Sequence, residues 1–407
     1  MHRFNRKEEM VQLDPKCIAN AVRAVFGFAL VAAWAVVATA VAEPPGVFQS
    51  EWQPHVVQQY DGSGGSIDLK TSAQVPTLKI RSAISWHHHF IYMLEKNRLL
   101  LQSGGLGWCS DDLGITWTET TLPDCYLTYL GDGKVLAARQ KEISLSNDYG
   151  LTWQTVAPYP LSPNGQAFFG SFGPMLVDKD PSSGSVVRLA DPGYSNDHSA
   201  YVRFSNDGGR TWPKVVKVPW ISETTLIRAG NGDIVAATRT DGNASIPDPK
   251  APYDWRRVGG HQDFYSGLGV HISKDNGHTW SPVHKLYEFG RHHASMVLMP
   301  DNDLVMSYVV RLGYPDTPEG IPRYGIEAVV SHDHGRTWDL GRRYVLDRWD
   351  GDWLDRPRGL VRLRAPNETY TVLLPDGSLI TAHGTGYRGK GEGTPRDIKL
   401  VRWRLNK

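Results

Sequence analysis

Cysteine is scarce in this chain, with three among 407 residues, and so is any imbalance of charge: 44 Lys and Arg stand against 43 Asp and Glu. So few cysteines exclude a disulfide-dense scaffold. A net charge of +1, with no long run of one sign, leaves nothing to track a phosphate backbone, so nucleic acid is not an expected partner. Long hydrophobic runs are lacking too, apart from one uncharged stretch at residues 24–42. In their place are 41 Gly, 26 Pro, 14 Trp and 17 Tyr, a composition of short strands and turns. The body of the chain reads as all-β.

Arg3, Arg6, Lys7, Lys16 and Arg23 precede the uncharged stretch, which closes on "ATAVA" before "EPPG". That order of basic, apolar and small residues predicts a signal peptide over 1–42, cut after Ala42, and export to a secreted, periplasmic or cell-surface location. The stretch is close to the roughly 20 residues a spanning helix needs, so an uncleaved membrane anchor is the alternative. Residues 43–407 are expected to form one domain. Cys17 lies in the leader, leaving Cys109 and Cys125 either to form one disulfide or to remain two buried thiols.

One eight-residue phrase organises the rest. "SDDLGITW" (110–117), "SNDYGLTW" (146–153), "SNDGGRTW" (205–212), "SKDNGHTW" (273–280) and "SHDHGRTW" (331–338) share Ser-x-Asp-x-Gly-x-Thr-Trp. The Asp accepts turn amides, the Gly tolerates positive φ, and Thr-Trp opens the next strand. A short alternating strand precedes each phrase. Upstream of it an apolar run, an Asp/Asn-Gly type turn and a second apolar run recur at 126–139, 225–239, 295–309 and 371–383, and more weakly at 90–101. Strand, turn, strand, strand, phrase, strand describes a four-stranded blade, and blades close into a ring. Five such units and a last one lacking the phrase predict a six-bladed β-propeller. The final unit ends at "DIKLVRWRL" (397–405), and residues 47–60 are expected to supply its missing outer strand.

The phrases resemble the Asp-box, or BNR, repeat, and the chain after the leader resembles the sialidase superfamily of six-bladed propellers. In that family the boxes face away from the active site, which lies at the opposite mouth around the axis. Each inner strand should enter that mouth eight residues before its turn. The count reaches Asp124, Glu223, His293, Glu368 and, in the weaker copy, His88. Five ionisable side chains at such positions point to function, because buried charges without partners are costly.

The resemblance implies further roles. In sialidases a Glu begins such an inner strand and an Arg ends the following one, which matches Glu223 and Arg239 in "ETTLIRAGNGDIVAATR". A second family arginine stands eight residues before a late box, which matches Arg323, with Arg311 as a competing or additional candidate. Guanidinium groups there would grip the carboxylate of a sialic or uronic acid. The family's nucleophile is a tyrosine at the start of the last inner strand, where Glu368 is followed two residues later by Tyr370. Its acid/base aspartate has no clear motif here, and Asp124 and Asp263 are the candidates. The Arg-Ile-Pro that supplies the family's first arginine is absent, replaced by "SWHHHF" at 85–90.

These residues lead to an exo-acting glycoside hydrolase of sialidase-like type that removes a terminal, acidic sugar from a glycan, with no cofactor and no metal. Glu223 and Glu368 alone would form a carboxylate pair of the general glycosidase kind. The histidines favour a rival, a polysaccharide lyase or another carbohydrate-active enzyme on the same propeller. A third reading is a non-catalytic propeller that binds a glycan or protein.

Overall fold

The computed structural model describes residues 47–49, 52–60, 66–74, 78–80, 88–103, 106–123, 126–139, 141–197, 199–220, 222–240, 266–288, 290–311, 324–349, 368–384 and 396–405. They form a six-bladed β-propeller of antiparallel sheets. The expected signal peptide lies outside the described residues, among which no helix is long and apolar enough to cross a membrane.

The inner strands are His88–Met93, Tyr126–Gly131, Leu176–Lys179, Thr224–Arg228, Arg291–Leu298 and Thr369–Leu373. The third of these belongs to a box-bearing blade in which the sequence shows no copy of the recurring strand-turn-strand pattern. There the chain reverses through Asp180–Ser185, with the Asp180 carboxylate accepting the amides of Ser182 and Ser183 at 3.0 and 2.8 Å.

Apolar residues from neighbouring blades meet in six clusters, one between each adjacent pair. Between the fourth and fifth blades, for example, Val235, Ala237 and Val270 pack on Leu304, Met306 and Tyr308. Alternation along each strand sends one set of side chains to each neighbouring blade, so both faces of every sheet are buried.

Closure differs from the sequence expectation. Residues 47–49 add a fifth strand to the first blade beside Thr116–Thr121, and Gln53–Tyr60 pairs with the outer strand of the fifth blade, Tyr344–Trp349. The last blade's third strand, Arg396–Trp403, pairs instead with Ser66–Gln74 and Leu78–Ile80. Because Gln53–Tyr60 and Ser66–Gln74 pair with each other, the hairpin joins the fifth and sixth blades into one continuous sheet. An N-terminal strand does close the ring, but it is the second arm of the hairpin, since the first is taken by the neighbouring blade's edge.

All five boxes share one hydrogen-bond pattern. In the fifth, Ser331 Oγ donates to Asp333 Oδ1 at 2.9 Å and accepts the Gly335 amide at 2.8 Å, while the Thr337 amide and hydroxyl donate to Asp333 at 2.8 and 2.6 Å. Four of the tryptophans donate from Nε1 to the carbonyl of their own box glycine at 3.1–3.2 Å. Trp280 does not, and lies edge-on to Trp220 at 4.8 Å. The residue before each glycine is also left-handed (φ 57° at Leu113, 65° at His334), a demand beyond the single positive φ the sequence suggests. A Cβ on Gly335, whose own φ is +87°, would stand 2.8 Å from Val235 of the preceding blade. The equivalent glycines Gly150, Gly209 and Gly277 press on Leu100, Leu136 and Phe204 in the same way.

Register places the boxes away from the inner-strand starts. In the fifth blade Leu298, Leu304 and Ser331 lie level at one end, and Arg291, Val310 and Gly325 at the other.

Ser331→Ala would leave the buried Gly335 amide without its acceptor, a loss of about 1–3 kcal/mol. Calorimetry should show a thermal midpoint lowered by a few degrees, whereas exposed His332→Ala should move it little. Equal midpoints for both variants would deny the serine that role.

Candidate functional site

The inner strands surround a cavity of about 270 Å³ on the axis, and Phe90, Thr128, Met175, Thr225, Ser295 and Tyr370 contribute to its wall, one from each blade. The residues just before these positions therefore converge at one mouth.

Glu223 and Arg239 meet there. Arg239 Nη1 donates to both carboxylate oxygens of Glu223, at 3.0 and 3.1 Å, and its Nε donates to Ser266 Oγ at 2.8 Å. Ser222 Oγ donates to Glu223 Oε2 at 2.6 Å. The pair is set by register: the Arg239 amide donates to the Glu223 carbonyl at 2.9 Å, so the start of one strand lies beside the end of the next. Burial by itself would raise the Glu223 carboxyl, but Arg239, His293 and the Ser222 hydroxyl outweigh it and hold the group below the usual glutamate range.

His293 sits in the field of four charged groups, Glu223, Glu368, Arg239 and Arg311. Its strand is irregular there: pairing with Leu304–Val310 shifts register between His292 and Ser295, and His293 has φ 53°. A β-bulge of this kind re-aims a side chain, and a left-handed non-glycine residue stores strain that packing must hold. Burial is the main reason its imidazole pKa falls to about 4, and the two arginines add to the fall against the pull of the two carboxylates. His293 is therefore neutral at pH 7. Arg311, buried at the end of the next strand, has its amide tied to the Gly290 carbonyl at 2.8 Å.

Glu368 and Tyr370 occupy one face of the sixth inner strand, and the Tyr370 hydroxyl donates to Glu368 Oε2 at 3.1 Å. They are partners at the site and not alternatives for one position. Tyr370 is met edge-on by His88 and His89, with ring centroids 5.2 and 5.3 Å away. Strict alternation would send these two histidines to opposite faces, yet both reach the same tyrosine at the strand's start. No group of three His, Cys, Asp or Glu side chains that could hold a metal occurs among the described residues.

Of the residues the sequence singles out, Glu223, Arg239, His293, Arg311, Glu368, Tyr370 and His88 come to this mouth. Asp124, Asp263, Arg323 and Cys125 lie outside the described residues. Cys109 is a buried free thiol. Two members of the mouth escaped the sequence reading. Phe172 stands eight residues before Asp180, so the same count would have found it had the third blade's turn been recognised; its ring lies 5.6 Å from His293 and 5.7 Å from Tyr126. Tyr126 follows Asp124 by two residues, as Tyr370 follows Glu368, and meets His89 at 4.4 Å.

No protein-family model matches the chain, and no curated protein matches its sequence. Among solved structures it is similar to a protein of unknown function from Dyadobacter fermentans, with TM-score 0.52 and 18% identity over 81% of this chain and 99% of that one. It is more distantly similar to the intramolecular trans-sialidase from Ruminococcus gnavus (TM-score 0.39, 14% identity, 86% of this chain and 62% of that one). It is likewise similar to an alpha-L-arabinofuranosidase from Fusarium graminearum (TM-score 0.41, 13% identity, 78% and 92%). At these identities what is shared is the fold.

The depressed His293 pKa carries a signed prediction. A histidine that stays neutral when folded but titrates near 6.5 when unfolded contributes stability above about pH 6.5, lost as pH falls through about 4. Urea midpoints should therefore drop over that range by more in the wild type than in His293→Gln. In the folded protein the His293 ring resonances should stay constant from about pH 8 to about pH 5; a midpoint near 6.5 would contradict the assigned burial.

Proposed function

We propose that the chain is an exported glycoside hydrolase that removes a terminal acidic sugar from a glycan at the mouth of the propeller. The observation that carries this reading is the convergence of two built pairs, Glu223 with Arg239 and Tyr370 with Glu368, on the neutral His293 beside Arg311.

Arg239 and Arg311 supply the positive field that an acidic sugar's carboxylate needs, and Glu223 and Ser266 hold Arg239 in place. A neutral His293 adds ring contact and hydrogen bonding without a further charge. Tyr370 is the nucleophile. Its oxygen attacks the anomeric carbon while its proton passes to Glu368, a nucleophile and base within hydrogen-bond reach. A neutral phenol suits a substrate whose own carboxylate would repel an anionic nucleophile. The bond to the leaving oxygen breaks as that oxygen gains a proton, a role this reading gives to Asp124 or Asp263. Water then cleaves the glycosyl-tyrosine bond and the phenol recovers its proton, so the anomeric configuration is retained.

A β-eliminating lyase is the second reading, favoured by a histidine kept in its base form between two arginines. The two readings leave different products.

The purified protein should release sugar from a panel of sialosides and uronides, with a loss of roughly 10²-fold or more in kcat for Tyr370→Phe and Glu368→Gln. Arg239→Ala should act mainly through KM for acidic substrates. Accumulation of an unsaturated product would transfer the site to the lyase reading, and an inert protein across the panel would remove both.

A further inference from the structure

Beside the mouth, over the third blade, three aromatic rings lie partly open to solvent. Phe169 and Tyr194 are cross-strand partners whose rings stack at 5.2 Å and 29°. Phe172 continues the row at 6.4 Å and 29° from Tyr194, and it also neighbours Tyr126 and, at the centre of the site, His293.

The segment carrying these rings is rigidly backed. Asp191, fully buried, accepts the Ser171 amide at 3.1 Å, the Tyr159 hydroxyl at 2.6 Å and Arg203 Nη2 at 2.7 Å. The Arg203 guanidinium lies 3.8 Å from the Phe168 ring centroid, and the Phe172 amide donates to the Thr224 carbonyl at 3.2 Å. A charged pair withdrawn from water demands this full set of bonds, and it keeps residues 168–172 from shifting when a ligand arrives.

Polar groups lie in the loops that adjoin Phe168–Phe169 and the pair Tyr194 and Ser195 along the chain. Asn164 Nδ2 donates to Asp197 Oδ2 at 2.5 Å, and Asp197 also accepts Ser195 Oγ at 2.6 Å. Gln166 Oε1 is buried and accepts no hydrogen bond among the described residues. Fixed, near-parallel rings with an amide and a carboxylate in the adjoining loops suit a sugar, which offers an apolar C–H face and hydroxyls around its edge. The Asp197 carboxylate, three residues after Tyr194, disfavours a second acidic unit.

We propose that Phe169, Phe172 and Tyr194 form a subsite for a neutral sugar unit, joined on the leaving-group side to the acidic sugar held at Arg239 and Arg311. The placement relative to cleavage rests on the hydrolase reading; the binding of a neutral sugar does not.

Saturation-transfer NMR with lactose, cellobiose and xylobiose tests the platform without any reaction. At least one disaccharide should receive saturation from the wild-type protein and from Tyr370→Phe, and the signal should fall at least threefold in Tyr194→Ala and Phe169→Ala. Phe169→Leu, which keeps an apolar side chain at that strand pair, stands in for a variant that fails to fold. No signal from any of the three sugars, or signals undiminished in the folded variants, would overturn the subsite. Platform-dependent binding by a protein that releases no sugar would retain the subsite and discard the hydrolase, while release of sugar without platform-dependent binding would do the reverse.

Discussion

The contact between a box glycine and a side chain of the preceding blade, made by Gly150, Gly209, Gly277 and Gly335, indexes one sheet against the next. Leu100, Leu136, Phe204 and Val235 each press on a backbone with no room for a Cβ, so the angle between neighbouring blades has little latitude. Six apolar clusters then fill the wedges that this spacing leaves. The mouth is assembled from strand starts at the far ends of those sheets, so a small error of angle at a box would become a larger displacement there. Chemistry and repeat are separated by the length of a strand, yet the first inherits its geometry from the second.

At the mouth the regular pattern gives way where charge is concentrated. His293 departs from strand geometry by a bulge and a left-handed φ, and it is the residue on which the charges of Glu223, Glu368, Arg239 and Arg311 act. Two residues earlier on the same strand Arg291 is buried against Glu327 at 3.0 Å, with the Tyr308 hydroxyl on the same carboxylate at 3.1 Å. A buried network of this kind fixes position more than it adds stability.

Much of the architecture could be read before any coordinates because the box and the Asp/Asn-Gly turn are local devices whose bonds lie within a few residues. The same regularity made Glu223, His293, Glu368 and His88 countable. Phe172 escaped because the turn of its blade is built from Asp180 and serines, a different local solution to the same reversal. The bulge at His293 was illegible, since it is expressed only in pairing with the neighbouring strand. The closing segment is not legible in the sequence for a related reason: residues 53–60 and 66–74 are both strands, and only competition for the edges of two blades decides which pairs with which.

That hairpin has a consequence for how the molecule comes into being. Gln53–Tyr60 and Ser66–Gln74 are made long before their partners Tyr344–Trp349 and Arg396–Trp403. Until residues 344–403 have been made, the early strands carry unpaired edges, and the loop that must close spans about 300 residues. Successive blades can stack as they emerge, one box at a time, but the ring locks only in the final step. A chain stalled or cut before residue 396 would leave an open arc with two unpaired edges, a form exposed to aggregation and proteolysis.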